Sequence, residues 1–472
     1  MRSLAIARGV WGLAVLMALA GCGPVMDEGG AASGPEQREQ SMRAGRVPLT
    51  GEPLWVQRAD TPAVGNSQVA HDREGNVIVA VSFSATIDFG KGPLGGTTPD
   101  FRMGVAKFGP DGALRWVRVF EVEPGSLSPT PFATGAFSFA LAVDRRGNIA
   151  LSGRNDGRLD FGGGPLEAGA FLVKLDAQGR HVWSRRLGGN NVIADELAVD
   201  ASGNVLLGGS FEGTMDLGRG PLRSDPRPGP DSLVSHNAFV ARFTPSGRNE
   251  WTFVERLGRG FGAELTVDSE AHVLFVNNIF VETEGTERAD LLVRRIAPDG
   301  TPRWTRRLEG LGNASGIATH GNRILLTGLF QGRLTFGRTV LEAGEEGMIA
   351  SYLFAYTRDG DERWARRIEG ATVDLGADIR DGVVVLGLGS ALPATGGEAD
   401  MFVTKFDRIR GTVLWRREFP LTIDDGVLSS LSVTRQGESV ITGFLGRPVD
   451  FGLDPVVPQA GHQLHFILKL AP

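Results

Sequence analysis

The chain has 472 residues, 41% hydrophobic and 22% charged, with 67 glycines, one cysteine and a formal charge of −6. A mild acidity spread along the chain argues against a general nucleic-acid binder. One cysteine excludes an internal disulfide framework, so stability has to come from burial and backbone pairing.

Residues 1–21 read as a removable leader. Arg2 and Arg8 precede an apolar core from Val10 to Ala20, too short to span a bilayer and suited to a secretory signal. The leader ends in Leu19-Ala-Gly-Cys22, which resembles the bacterial lipoprotein lipobox. That resemblance implies cleavage before Cys22 and lipid attachment to its sulfur, and multiple acyl chains make such anchoring stable. Removing Arg2 and Arg8 with the leader brings the side-chain charge to −8. Residues 22–50 are small, polar and Gly-rich without periodicity, and are expected to form a lipidated, flexible tether. Gly23 stands where an Asp commonly signals inner-membrane retention, so the resemblance points to the outer membrane, with the protein periplasmic or surface-exposed.

From residue 51 onward the chain repeats. Trp55, Trp116, Trp183, Trp251, Trp304, Trp364 and Trp415 are spaced by 61, 67, 68, 53, 60 and 51 residues. A period of this size marks a repeat architecture. The clearest unit runs from Ile193 to Leu257. Its short apolar runs are separated by Ala201-Ser-Gly-Asn204, a long polar loop and Thr244-Pro-Ser-Gly247. Such runs between tight turns predict a four-stranded meander, A to D, with Trp on strand D. The A–B turn recurs as Asp72-Arg-Glu-Gly-Asn76, Asp144-Arg-Arg-Gly-Asn148 and Asp200-Ala-Ser-Gly-Asn204. The fourth unit departs, with Asp268-Ser-Glu-Ala-His272. The first Trp strand, Glu52 to Arg58, has no A, B or C before it. The last unit has A, B and C but no D. The two defects cancel if the N-terminal strand completes the last unit, which a closed ring requires. The expected fold is therefore all-β, a seven-bladed β-propeller over residues 51–472.

Asp200 to Val205, Phe171-Leu-Val-Lys-Leu-Asp176 and Gly179 to Trp183 resemble the bacterial seven-bladed propeller repeat often called SBBP. That resemblance implies the propeller fold and leaves activity open. A looser likeness links the units to quinoprotein-type propellers, but no acidic cofactor or calcium ligands of that kind are evident.

Several recurrent residues invite a functional reading. Lys107, Lys174, Lys405 and Lys469 share one strand-C position, held by Arg242 and Arg295 in two other units. Counting through the C–D hairpin places Val105 opposite Trp116 and Leu172 opposite Trp183. The cation would then meet the indole diagonally. Recurrence favours a clamp between blades over a ring of ligand contacts. Paired arginines on strand D (Arg185-Arg186, Arg306-Arg307, Arg366-Arg367, Arg416-Arg417) read as protection of an outer edge strand rather than a polyanion belt. Asp88-Phe-Gly90, Asp160-Phe-Gly162, Asp216-Leu-Gly218 and Asp450-Phe-Gly452 lack the carboxylate density of a calcium loop, so the Asp reads as a turn residue and the Phe as packing. His462 and His465 are the one near pair of histidines, read as loop and packing residues rather than metal ligands.

No nucleophile elbow, zinc-protease motif or phosphate loop is present. No catalytic, cofactor or metal residue is assigned, and the one site residue is Cys22, for lipid attachment. The expected role is a monomeric binding or scaffold module, anchored to a membrane by lipid, with an envelope protein or polysaccharide as partner. The B–C loops Arg219–Asn237 and Asn277–Ala289 are the expected contact surfaces. An architectural analogy exists with propeller lipoproteins that assist outer-membrane barrel assembly. The alternative is an envelope enzyme, a glycan hydrolase or lyase, with convergent carboxylates at the channel mouth.

Overall fold

The computed structural model describes residues 49–96, 101–123, 139–155, 157–188, 191–225, 237–256, 260–283, 286–310, 312–344, 349–378, 382–389, 400–421, 426–459 and 461–472. A compact unit begins at Gly51. Cys22, the leader and all but the last two tether residues lie outside the described residues.

Seven four-stranded antiparallel sheets follow one another along the chain. In blade 1 the strands are Ala63–His71, Val77–Ser84, Phe101–Phe108 and Leu114–Glu121, taken as A, B, C and D. Strands B and C are the most buried, and Val77–Ser84 is buried at every position. Their faces pack on both neighbouring blades, so they read as continuous apolar runs rather than alternating ones. Val77, Val79 and Val81 meet Val440 and Ile467 of blade 7, while Ile78 and Ala80 meet Phe171 and Val173 of blade 2.

The last sheet closes the ring as expected. Its order is Pro53–Thr61, Gln463–Leu470, Ser439–Leu445 and Gly426–Val433. The N-terminal strand pairs antiparallel with Gln463–Leu470, from Pro53 opposite Leu470 to Thr61 opposite Gln463. It runs three residues past Arg58, the end expected from sequence.

The Asp-Phe-Gly segments form something not foreseen as an element. In blades 1, 2, 3 and 5, strand B leads into a short two-stranded hairpin, such as Leu159–Asp160 with Pro165–Leu166. Bridges Asp60–Asp88, Val122–Leu159 and Gly188–Met215 attach these hairpins at or just past the end of strand D of the preceding blade. The hairpins thus fill the wedge where blades splay outward. Phe161 packs between Phe120 of blade 1 and Phe171 of blade 2, with ring centroids 5.0 and 5.1 Å away. Phe451 does the same between Phe419 and Phe466. The aspartates cap the turn: Asp88 Oδ1 accepts from the N–H groups of Gly90, Lys91 and Gly92. Turn and packing roles account for this motif.

The expected loop Asn277–Ala289 is corrected. Strands Val273–Thr283 and Thr286–Ile296 continue as one long hairpin, paired out to Thr283 opposite Thr286. Its β-branched and alternating sequence, Val281-Glu-Thr283, sustains pairing where a shorter strand was expected. In the other expected loop, Pro221–Arg223 pairs with Thr214–Asp216, and residues 226–236 lie outside the described residues.

Candidate functional site

Antiparallel meandering puts all A–B and C–D turns at one end of the ring, called here the turn end. The B–C and D–A connections lie at the other. Gly51 and Pro472 are also at the turn end, because the first strand descends from it and the last strand C rises to it. A cavity of about 230 Å³ opens at this end, lined by Asp144 and Arg145, Asp200, Asp268, and Thr319 to Gly321. It is the mouth of the channel between blades 2 and 5.

The acids at this mouth are already engaged. Asp144 Oδ1 accepts from the N–H groups of Arg146 and Asn148, and Oδ2 from Asn148 Nδ2. Asp200 repeats this with Ser202 and Asn204. Each turn carboxylate then meets the strand-C cation of its own blade. The pairs are Lys107–Asp72 at 2.8 Å, Lys174–Asp144 at 3.4 Å, Arg242–Asp200 at 2.8 Å, Arg295–Asp268 at 2.7 Å and Lys405–Asp378 at 2.6 Å. Lys469 pairs with Glu438 at 3.0 Å. Burial would raise the Asp72 carboxyl, but bonds from Lys107 and Asn76 outweigh it and hold it below the ordinary range.

The Trp–Lys geometry expected from sequence is corrected. Trp116 lies directly opposite Lys107 and Trp183 opposite Lys174, because a bulge at the start of strand D shifts the register. The cation turns to the carboxylate, not to the indole. The indole instead reaches the next blade. Trp55 Nε1 donates to Pro110 O at 2.9 Å, Trp183 to Pro245 O at 2.9 Å, Trp251 to Pro298 O at 2.8 Å and Trp304 to Arg358 O at 3.0 Å. Trp116 and Trp364 do the same to Ala177 O and Arg408 O, both at 3.2 Å. The cations help join the blades too: Lys174 Nζ donates to Gly203 O at 3.1 Å and Lys469 Nζ to Pro110 O at 3.2 Å. The clamp between blades is real, but it is made of hydrogen bonds. The strand-D arginines are likewise structural. Arg306 donates to Gly360 O, Arg366 to Gly411 O and Arg185 to Leu217 O, while Arg307 pairs with Asp290 at 2.5 Å.

In the fourth blade Asp268, Glu270 and His272 place ligand atoms within 4.8 Å of one another. The Arg295 guanidinium sits among them, with Nη2 2.7 Å from Asp268, 3.3 Å from Glu270 and 3.0 Å from His272 Nδ1. Burial first, then Arg295, lowers the His272 pKa. A guanidinium thus fills the position a metal would take. His465 is fully buried and bonds Ser67 Oγ at 2.7 Å, with its pKa pushed down to about 3 by burial, in keeping with a packing role.

One cluster was missed at the sequence level. Strand A is the inner strand, and one register position on it recurs as Gln68, Ala140, Glu196, Glu264, Gly316, Asp374 and Ser430. Inner-strand N–H groups lack a sheet partner on the channel side, and side chains of the preceding blade supply one. Asp374 Oδ2 accepts from Leu431 N–H at 2.7 Å, Ser430 Oγ from Val69 N–H at 3.4 Å, and Glu196 from Leu265 N–H. Glu264 accepts no hydrogen bond from another described residue. Glu196 feels the charges of Glu264, Asp195 and Asp374 inside the ring, and Glu264 those of Asp374 and Asp195. Desolvation pushes Asp195 and Asp374 up to about 6. Desolvation, then Asp374 and Asp195, push Glu264 to about 8, and Glu196 rises well above its ordinary value for similar reasons. The surface of these groups is only partly covered, so the water they meet is the confined water of the channel. Carboxyl groups split in this way can hold and release protons near neutral pH.

No family model matches the sequence. No curated protein matches it either. Several solved structures are similar. BamB from Moraxella catarrhalis is 12% identical, over 88% of this chain and 99% of that one, with a TM-score of 0.39. The β-propeller domain of the Trilobed protease from Pyrococcus furiosus is 10% identical, over 81% and 89%, with a TM-score of 0.42. The Dos1 propeller is 10% identical, over 88% and 94%, with a TM-score of 0.44. At these identities the likeness concerns the propeller fold.

Proposed function

We propose that the chain is a lipid-anchored propeller of the bacterial cell envelope, acting as a binding or scaffold module for a protein or an envelope polymer. The anchor rests on Leu19-Ala-Gly-Cys22 after an apolar leader, with Cys22 the sole thiol, and the outer membrane is the proposed site. The resemblance to SBBP repeats is in keeping with this. The observation that carries the scaffold reading is the engagement of Asp144, Asp200 and Asp268 at the mouth. Each carboxylate serves its own turn and a strand-C cation, so these repeated charges build the ring. Expression in a Gram-negative host with a labelled fatty acid tests the anchor. Label should enter the wild-type chain and not Cys22→Ser, and persistent label in the variant overturns it. A pull-down from envelope extract, with the chain as bait, tests the module.

A second reading has its own support. Asp195, Glu196, Glu264 and Asp374 are convergent carboxylates of the kind a glycan hydrolase or lyase uses. Turnover of an envelope glycan by the wild type, lost in Glu264→Gln and Asp195→Asn with no fall in melting temperature, would favour the enzyme over the scaffold.

A further inference from the structure

The turn end of blades 5 and 6 differs from the rest of the ring. Blade 5 has Ala355 opposite Trp364 where most blades carry a cation, and its A–B turn, His320-Gly-Asn322, has no Asp. Arg408, from the C–D turn of blade 6, reaches across instead and donates to His320 O at 2.7 Å. Arg323 and Arg363 crowd the same spot. Burial first, then the like charges of Arg363 and Arg408, disfavour the Arg323 cation. Arg323, Arg363 and Arg410 have no carboxylate within salt-bridge distance among the described residues. The acids nearby serve turns: Asp407 Oδ1 accepts from Ile409 and Arg410 N–H, and Asp361 bonds Thr357. With Asp359 and Glu362 the acids here equal the four arginines in number, so the spot is set apart by guanidinium groups without a carboxylate contact rather than by net charge.

Beside these arginines stand exposed aliphatic side chains. Ile409 is 51% exposed, Val413 58% and Leu414 41%. All three belong to the C–D hairpin that carries Arg408 and Arg410. Leu54, 46% exposed, lies one blade on, near the Arg417–Glu52 ion pair. Aliphatic groups on a turn beside unpaired arginines suit an interface that is anionic at its surface and apolar beneath. Gly51, where the chain enters the propeller, lies at this same end.

We propose that the turn end of blades 5 and 6 rests on an anionic bilayer surface. Arg323, Arg363 and Arg410 face headgroup phosphates, and Ile409, Val413 and Leu414 dip below them. This rests on the envelope reading only for which bilayer is met. Guanidinium forks match phosphate oxygens in pairs, and the tether joins the ring on the side that would face the membrane. The B–C and D–A connections would then point away from the bilayer, toward a partner.

The test uses the full lipidated chain on vesicles of phosphatidylglycerol or of phosphatidylcholine, some carrying brominated acyl chains. A fluorescent label is placed at Ile409→Cys, or at Glu369→Cys on the opposite end of blade 5, where the side chain is 82% exposed. The label at residue 409 should be quenched on phosphatidylglycerol, weakly on phosphatidylcholine, and the label at residue 369 on neither. Arg363→Gln with Arg410→Gln should lower the ratio of quenched to unquenched label at residue 409 on phosphatidylglycerol roughly twenty-five-fold, at about fivefold per arginine. A chain that floats with the vesicles while its label at 409 stays unquenched overturns the proposal and leaves the anchor standing. Equal quenching at 369 overturns it too. A chain that does not float refutes the anchor, and the label at 409 under excess phosphatidylglycerol vesicles still decides the patch.

Discussion

The ring of Trp415 lies against the backbone of Gly51, and a Cβ there would come within 2.7 Å of Cε3. In the other six blades the Trp packs the same way on the glycine of the next blade's C–D turn. Trp364 on Gly411, Trp304 on Gly360 and Trp251 on Gly300 are examples. Blade 7 has no C–D turn, since its C and D strands come from opposite ends of the chain. Gly51, with φ 61°, takes the place of the missing turn glycine. What it does not supply is the carbonyl, and Trp415 Nε1 is left buried without a partner.

Gly51→Ala should therefore destabilise the propeller by about 1–3 kcal/mol, through the clash with Trp415 and the left-handed backbone. Chemical denaturation of the two chains reads this directly.

Lys405 and Asp378 are both almost wholly buried and 2.6 Å apart. Lys405→Met should cost about 3–5 kcal/mol, because it removes the lysine from beside a buried carboxylate that the Gly382 N–H does not neutralise. The double variant Lys405→Met, Asp378→Asn should recover part of that loss. A diagonal cation–π contact, as sequence counting suggested, would cost only about 0.5–2 kcal/mol and show no recovery. Denaturant midpoints of the two variants separate these outcomes.

Much of the ring was legible because its signals are local. The Trp spacing, the Gly-Asn and Pro-x-Gly turns and the mismatched chain ends each sit within a few residues. The clamp chemistry was not legible, since one bulge before each Trp moves the cation from a diagonal to a direct position. The channel carboxylates escaped notice for another reason. Asp195, Glu196, Glu264 and Asp374 span about 180 residues, carry no motif, and meet only because equivalent inner-strand positions converge at the axis. The long hairpin of blade 4 was hidden by polar residues among its β-branched ones.

Ala271 occupies the turn position held by Gly75, Gly147 and Gly203 in other blades, and is forced to φ 63°. Ala271→Gly should stabilise the fold by about 1 kcal/mol, as it relieves a left-handed alanine. A higher melting temperature for the variant is the expected result.

Glu264 is held protonated in the fold, at about 8 against an ordinary 4.5. Its raised value means that this contribution to stability is whole below about pH 4.5 and lost as pH rises through 8. Glu264→Gln cannot ionise, so it should melt higher than the wild type at pH 9 and equally at pH 4. Melting curves across that range check both the sign and the window.

Closure of the ring by its first strand is the claim on which the fold, the Trp–glycine relay and the placement of the tether all depend. Thermal unfolding of a chain lacking residues 52–61, beside one lacking residues 23–48, tests it most directly. The first deletion removes Trp55 from its bond to Pro110 and leaves Gln463–Leu470 as an open edge. Trp55 is only partly buried, so most of the loss comes from the unpaired strand rather than from the indole. The account expects a markedly lower or uncooperative melt for the first chain and a wild-type melt for the second, and equal melting temperatures would contradict it.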